Sequence, residues 1–377
     1  MIYFDYNATA PLHPAARAAW LEACECFIGN PSSPHRMGNR AEKALDDARQ
    51  QLADFLGCHP LELVWTSGAT ESSNLVFNHA SQLARPRGEV WISAIEHPAT
   101  LAPARHYFKK SVRSIPVTSA GVTDLNWVLE SLKKKRPALI AVMAANNETG
   151  VLQPWQSLAA ICREKEIPFF CDAVQWLGKL PANELGQCDF VSGSAHKFGG
   201  PKGVGFLKIP AKGKLKPLIL GGKQQDGHRA GTENVPGLLA MLAALTERET
   251  ALHQNQHQIR LTWRNEFESR LTAISPEISI VGLREERLWN TCLAFLPDSG
   301  CRFRWVVKLD KAGFAVSTGS ACASGQEEPS HALSVMGYSP AQISRAIRFS
   351  SGWETSPSEW TQLQVGIASI AENKDIA

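Results

Sequence analysis

No stretch of about 18 uninterrupted apolar residues occurs anywhere in the 377-residue chain, so no membrane-spanning helix is expected. Met1 to Pro14 carries neither a basic flank nor an apolar run, which argues for a soluble, unexported, cytoplasmic protein. There is no C-x-x-C pair. Nine cysteines, an odd number scattered over a long chain, suit reduced thiols in a cytosol better than a disulfide framework. The one close couple, Cys24 and Cys26, has no second pair nearby to complete a tetrahedral zinc site, so no structural metal is expected. A G-x-x-x-x-G-K-[ST] loop is missing too, which removes the main nucleotide-phosphate motif. Internal repeats and low-complexity tracts are absent. With 44% hydrophobic and 20% charged residues, wholesale disorder, collagen-like repeats and coiled coil are excluded. Charge of one sign is also lacking: 39 Lys+Arg against 36 Asp+Glu leave a formal +3, too weak a field to argue for nucleic acid or an anionic membrane. The basic run Lys133 to Arg136 reads as a solvated helix end, where positive charge complements the macrodipole. A small-molecule partner is the expectation that remains.

The length suggests two or three domains at about 100–200 residues each. Arg40 to Leu56 repeats apolar residues at helical spacing and stops at Gly57, a natural C-terminal cap. Strand-like runs follow at Leu61 to Trp65, Val90 to Ile95, Leu139 to Ala145, Pro168 to Cys171, Phe190 to Ser192 and Val204 to Ile209. Several are continuously apolar, as expected of strands buried on both faces. Helix-length segments such as Asp124 to Lys135 and Pro154 to Glu166 separate most of them, which predicts an α/β layer fold around a mostly parallel sheet. Pro236 to about Ile274 reads as one or two long helices. Shorter signals, ending in a helix over Ser358 to Ala371, predict a smaller α+β domain.

In open parallel sheets, ligands sit beyond the carboxyl ends of the strands, and four polar clusters fall there. Thr66-Ser67-Gly68-Ala69-Thr70-Glu71-Ser72 is a hydroxyl-rich turn leading into a helix, suited to a phosphate but equally readable as an ordinary N-cap. Glu96-His97-Pro98 offers an isolated imidazole, more often structural than catalytic. Asp172-Ala173-Val174-Gln175 offers a carboxylate that either caps the next helix or keeps a heterocyclic nitrogen protonated. Gly193-Ser194-Ala195-His196-Lys197 places a lysine among small residues, where desolvation would lower its pKa as a Schiff-base lysine requires. Each is weak alone. Together they match the needs of pyridoxal 5'-phosphate (PLP): anchor the phosphate, pair the pyridinium, attach the aldehyde, cover the ring.

Cys322, in Ser317-Thr318-Gly319-Ser320-Ala321-Cys322-Ala323-Ser324-Gly325, differs from the other eight cysteines, which read as small buried hydrophobes. A Gly/Ser/Ala stretch cannot bury it well and reads as a mobile loop whose thiol reaches a cofactor as nucleophile. Arg345 and Arg348 offer guanidinium groups to a carboxylate, against a surface ion pair as the plainer reading of either.

Over nearly its whole length the sequence resembles the cysteine desulfurases, members of the class V aminotransferase family with the fold-type I PLP architecture. The residues that carry the resemblance are Asp5-Tyr6-Asn7-Ala8-Thr9, Gly29 to Ser33, Thr66 to Ser72, Glu96-His97, Asn146 to Gly150, Asp172 to Gln175, Ser194 to Lys197 with Gly200 to Gly203, Arg229 to Asn234, Gly319 to Cys322 and Arg348 to Ser350. The Thr-Gly-Ser-Ala-Cys context and the following Glu328-Pro329-Ser330-His331 are similar to the long-loop group, which feeds iron–sulfur cluster assembly and related thiolation pathways.

The resemblance implies a large PLP-binding domain over 13–253, with a seven-stranded, mostly parallel sheet between helices. Residues 1–12 and 254–377 would form a small domain carrying the cysteine loop. It implies that Lys197 attaches the cofactor, Asp172 pairs the pyridine nitrogen, His97 stacks on the ring and serves the substrate thiol as proton carrier, and Gln175 and Asn147 contact the phenolic oxygen and the substrate side. Ala69, Thr70, Ser194 and His196 would hold the phosphate, joined by Thr232 from the other subunit of a homodimer. Arg348 would bind the substrate carboxylate, and Cys322 would accept sulfur from L-cysteine as a persulfide, leaving alanine. A sulfur-acceptor protein such as an iron–sulfur scaffold is the implied partner. No nucleic acid, membrane or intrinsic metal is expected, beyond transient ligation of a cluster by Cys322. Two departures stand out: Gly199 occupies a place where an aromatic residue is common, and Cys301 to Arg304 replaces a Gly-Glu-Ser-like segment. The alternatives are a selenocysteine lyase or other class V PLP enzyme, a catalytically silent sulfur-relay scaffold, and a nucleotide-binding α/β module that would give Lys197 and Cys322 no task.

Overall fold

The expected apolar runs assemble into one seven-stranded sheet in the computed structural model, which describes residues 1–84, 88–211, 213–298, 305–318 and 329–372. Across the sheet the order is Leu63–Thr66, Gly205–Lys208, Phe190–Ser194, Phe169–Asp172, Leu139–Ala141, Val90–Ser93 and Val112–Ile115. Gly205–Lys208 runs antiparallel to both neighbours, and the other pairings are parallel. Alternation along each strand feeds two cores. Trp91, Ile140, Phe169 and Cys171 join the cluster with helices Arg36–Leu56 and Val235–His253. Val90, Leu139, Phe170 and Leu207 join the cluster with Ala69–Leu83 and Pro98–Phe108 on the opposite face. Strands covered on both faces have no reason to alternate polar and apolar residues, which is why they read as continuous runs.

Differences from the expected elements are local. A helix over Pro14–Cys26 precedes the expected ones, and the helix expected from Arg40 starts at Arg36 and ends at Gly57, whose φ of 70° lies in the left-handed region. The run expected over Leu139 to Ala145 is a ladder strand only to Ala141, although the Val142 and Ala144 amides still donate to Phe170 and Asp172 carbonyls. Val112–Ile115 escapes the sequence pattern because it is an edge strand with Arg113 and Ser114 exposed. Pro236 to Ile274 resolves into two helices, Val235–His253 and Gln256–Ile274.

A second, antiparallel sheet orders Ser317–Thr318, Ala346–Ser350, Thr291–Phe295 and Ser279–Ile280. It packs on Gln256–Ile274 and Pro357–Glu372 through a cluster containing Phe267, Phe349 and Trp360. The chain's beginning belongs there: Ile2–Tyr3 pairs in parallel with Phe314–Ala315, and Phe4 is fully buried in the same cluster. Among the described residues no helix is long and apolar enough to cross a membrane.

A buried ion pair ties this part to the loop that follows Leu139–Ala141. Arg287 donates through both Nη atoms to the two carboxylate oxygens of Glu268, at 2.6 and 2.8 Å. Its neighbours Glu286 and Leu288 exchange backbone hydrogen bonds with Leu152 and Gly150. Buried Arg264 also lies 3.8 Å from Glu268, so this one carboxylate serves two guanidinium groups. Removing it strands both, and Glu268→Met is expected to cost about 3–5 kcal/mol in urea unfolding, with Arg287→Met costing less because Arg264 keeps Glu268 paired.

Candidate active site

The carboxyl ends of the parallel strands open onto a cavity of about 570 Å³. Each strand end supplies part of its wall, so the topology gathers residues far apart in sequence. Ala69, Thr70, His97, Asn147, Asp172, Gln175, Ser194, His196, Lys197 and Arg348 all line it. Thr232 is exposed and lies outside the lining; Cys322 lies outside the described residues, as do Cys301 to Arg304 and Glu328. Arg345, the other candidate guanidinium, lies 3.6 Å from Glu277 at the surface, matching its plainer reading.

One end of the cavity is built for an anion. Helix Ala69–Leu83 begins at Gly68 with no side-chain cap, leaving its first amides to whatever occupies the cavity. The turn is held by Thr66 and Ser72, whose hydroxyls lie 2.9 Å apart. Ser194 and His196 flank it. His196 Nδ1 lies 3.2 Å from the Thr9 hydroxyl, and burial, with the charges of Lys197 and Lys202, lowers its pKa to about 4. Glu71 beside it is paired with Arg229 at 2.9 Å, which offsets its charge; burial would raise its pKa, but bonds from Arg229 and the Ser67 amide hold it below its ordinary value.

The middle of the cavity carries the reactive set. Asp172 ends its strand buried, with Oδ1 accepting from the Val174 amide at 3.0 Å; burial raises its pKa even so, a penalty that a cationic ring nitrogen would offset. His97 caps Pro98–Phe108, its Nδ1 accepting from the Ala99 amide at 3.0 Å. Burial and the charge of Lys197 lower its pKa to about 4, so it presents a neutral ring. Lys197 closes the short 3₁₀ turn after Phe190–Ser194 and donates through Nζ to the carbonyls of Asn7 and Ala8, at 2.7 and 2.8 Å. The donor set therefore fits PLP: uncapped amides for a phosphate, a buried carboxylate for a pyridinium, an amine for an aldehyde.

Across the cavity, Arg348 is almost fully buried, with Nη2 donating to Asp5 at 2.6 Å and Nη1 to the Asn147 carbonyl at 3.1 Å. Its Nε, also buried, has no acceptor among the described residues.

The class-V aminotransferase model matches residues 2–362. The chain belongs to that family. Among similar proteins, the cysteine desulfurase of Cereibacter sphaeroides is 40% identical over 362 residues, covering 94% of this chain and 92% of its own. The cysteine desulfurase of Klebsiella pneumoniae is 40% identical over 356 residues, covering 93% and 87% respectively. A solved NifS-like protein superposes with a TM-score of 0.88 at 32% identity, covering 98% of this chain and 99% of its own.

Within this class-V scaffold the structure adds residues that sequence reasoning gave no role. Asn7 bonds to five site partners, and Lys179 lies buried beside Gln175. Lys179 follows Gly178 in the apolar run Trp176-Leu177-Gly178, the same kind of setting that singled out Lys197. Glu148 accepts from the Ser330 hydroxyl, the N-cap of the helix that resumes after the cysteine-bearing segment.

Burial raises the Glu148 pKa from the ordinary 4.5 to about 7, against the lowering effects of Ser330 and Arg348. Between those values the folded chain holds a proton that the unfolded chain releases, so this carboxyl makes stability fall as pH rises through the window. Chemical denaturation between pH 5 and 8 is expected to show a weaker loss of stability in Glu148→Gln than in the native protein. Parallel curves would contradict the assignment.

Proposed function

We infer that this class-V protein is a PLP-dependent cysteine desulfurase that takes sulfur from L-cysteine, releases L-alanine and carries the sulfur as a persulfide on Cys322. The observation that carries this reading is the convergence of Lys197, Asp172, His97 and an uncapped helix N-terminus on one cavity. The desulfurase identity of the similar proteins supports the choice among class-V reactions.

Ala69, Thr70, Ser194 and His196 would hold the PLP phosphate, with Thr232 reaching it from the second subunit of a homodimer. Asp172 would face the ring nitrogen, His97 the ring face, and Gln175 and Asn147 the phenolic oxygen and the substrate side. Bound there, PLP supplies an electron sink for charge developing on the substrate α-carbon. Lys197 acts as the base that removes the α-proton. Arg348, which lines the cavity, receives the substrate carboxylate. His97, held neutral, can take the proton of the substrate thiol. The Cys322 thiolate then attacks the substrate sulfur: an S–S bond forms, the C–S bond breaks, and its electron pair returns to carbon, which is protonated to alanine. A sulfur acceptor such as an iron–sulfur scaffold would relieve Cys322 of the sulfane sulfur, in the cytoplasm, and Cys322 would ligate a nascent cluster only transiently. We further propose that residues 13–253 form the large domain, with 1–12 and 254–377 as the small one.

Incubation with L-cysteine, with L-selenocysteine in parallel, should yield alanine and a Cys322-bound persulfide by mass spectrometry. Cys322→Ser should retain bound cofactor and yield neither alanine nor sulfide. Lys197→Ala should lose the yellow near-visible absorbance and slow turnover by about 10²–10⁴-fold or more. Undiminished sulfide release from Cys322→Ser, or a large preference for selenocysteine, would overturn the reading.

A further inference from the structure

Lys179 is a buried lysine beside the cavity, and the chemistry assigned above leaves it without a task. It is 4% exposed, in the turn that follows Gln175. Gly178, at φ 69°, lets that turn press against Phe198, the residue after Lys197: a Cβ there would come 2.5 Å from the Phe198 Cβ. Lys179 Nζ donates to Asn7 Oδ1 at 3.0 Å and to Gln175 Oε1. Gln175 Nε2 donates to the Asn7 backbone carbonyl at 3.0 Å, the same oxygen that accepts from Lys197 Nζ.

Both ends of the Gln175 amide are therefore assigned by chemistry. The Asn7 carbonyl can only accept, so it faces an N–H, and the Lys179 amine donates, so it faces the oxygen. Gln175 lines the cavity, and its second N–H is the group left for a ligand. We propose that Lys179 is a positioning residue: by holding Gln175 Oε1, it makes Gln175 present an N–H rather than its oxygen to the anionic phenolic oxygen of the cofactor. The proposal rests on the PLP reading above.

The charged and titratable groups around Lys179 are Lys197, Arg348 with its partner Asp5, and Tyr6 and Arg248 across a small adjoining cavity. Burial first, then Lys197 and Arg348, pushes the Lys179 ammonium well below the usual lysine range. Both acceptors of its N–H bonds are neutral amide oxygens. Its contacts with the site run through Asn7 and Gln175, so its effect on the bound group is exerted through the orientation of Gln175.

The test is the absorbance of the cofactor-loaded resting protein titrated against pH. A donor on the phenolic oxygen stabilises the deprotonated chromophore, so losing it raises the titration midpoint. Lys179→Met is expected to raise it by about one pH unit, a tenfold gain in proton affinity. Gln175→Ala should shift it similarly, and the double variant should shift no further than Gln175→Ala alone. A native midpoint in Lys179→Met with unchanged melting temperature, or shifts that add fully in the double variant, would overturn the proposal. Should Lys179→Met fail to fold, Lys179→Gln keeps an N–H donor and is expected to shift less than half as far as Gln175→Ala; an equal shift would overturn the proposal. Failure of the native protein to take up PLP would instead overturn the underlying functional reading.

Discussion

A buried amide must satisfy both of its ends, and at Asn7 that requirement holds the site together. Its side-chain oxygen accepts from Lys179 and Asn290, its Nδ2 donates to Thr291 and to the Asn147 carbonyl, and its backbone carbonyl accepts from Lys197 and Gln175. Gln175, Lys179 and Lys197 follow the carboxyl ends of two central strands of the large sheet, while Thr291 belongs to the small sheet and Asn290 directly precedes it. Asn7 reaches this position because Ile2–Tyr3 is stitched to Phe314–Ala315 and Phe4 is buried beside Phe349. A misplaced first strand would therefore misplace the lysine's acceptors, although Lys197 itself lies 190 residues away.

Charge inside this cavity is balanced by geometry rather than by solvent. Asp172, Lys197 and Arg348 line it, and Lys179 and Glu96 are buried close by, where unpaired charge is costly. The protein meets the cost in different ways. Arg348 Nη2 donates to Asp5. Glu96, with one oxygen bound to the Met143 amide, is pushed well above the carboxylate range, first by burial and then by the charge of Asp172. His97 and His196 are held neutral. Asp172 is thereby left as the carboxylate that faces the centre of the cavity, with Lys197 as its nearby cation.

Much of this was legible in the sequence because the signals are local. A strand buried on both faces must be apolar throughout, so most central strands could be read within two residues, the run from Leu139 ending four residues early, whereas Val112–Ile115, half exposed at the edge, could not. Strand ends were legible for the same reason, and with them Thr66 to Ser72, His97, Asp172 and Lys197. Motif resemblance carried Asn147, in the loop after Leu139–Ala141, and Arg348, whose place depends on the small sheet.

What the sequence determined by itself was the inventory: an α/β layer, a lysine and a carboxylate at strand ends, a hydroxyl-rich turn opening a helix. Only the tertiary structure decided that Lys179, Gln175 and Asn7 would share one set of hydrogen bonds, that Arg348 would be sealed against Asp5, and that Arg345 would stay at the surface. Periodicity and turn chemistry act over a few residues and are written into each segment. Satisfying a buried amide or charge is a condition on groups that only folding brings within about 3 Å, and no local pattern records it.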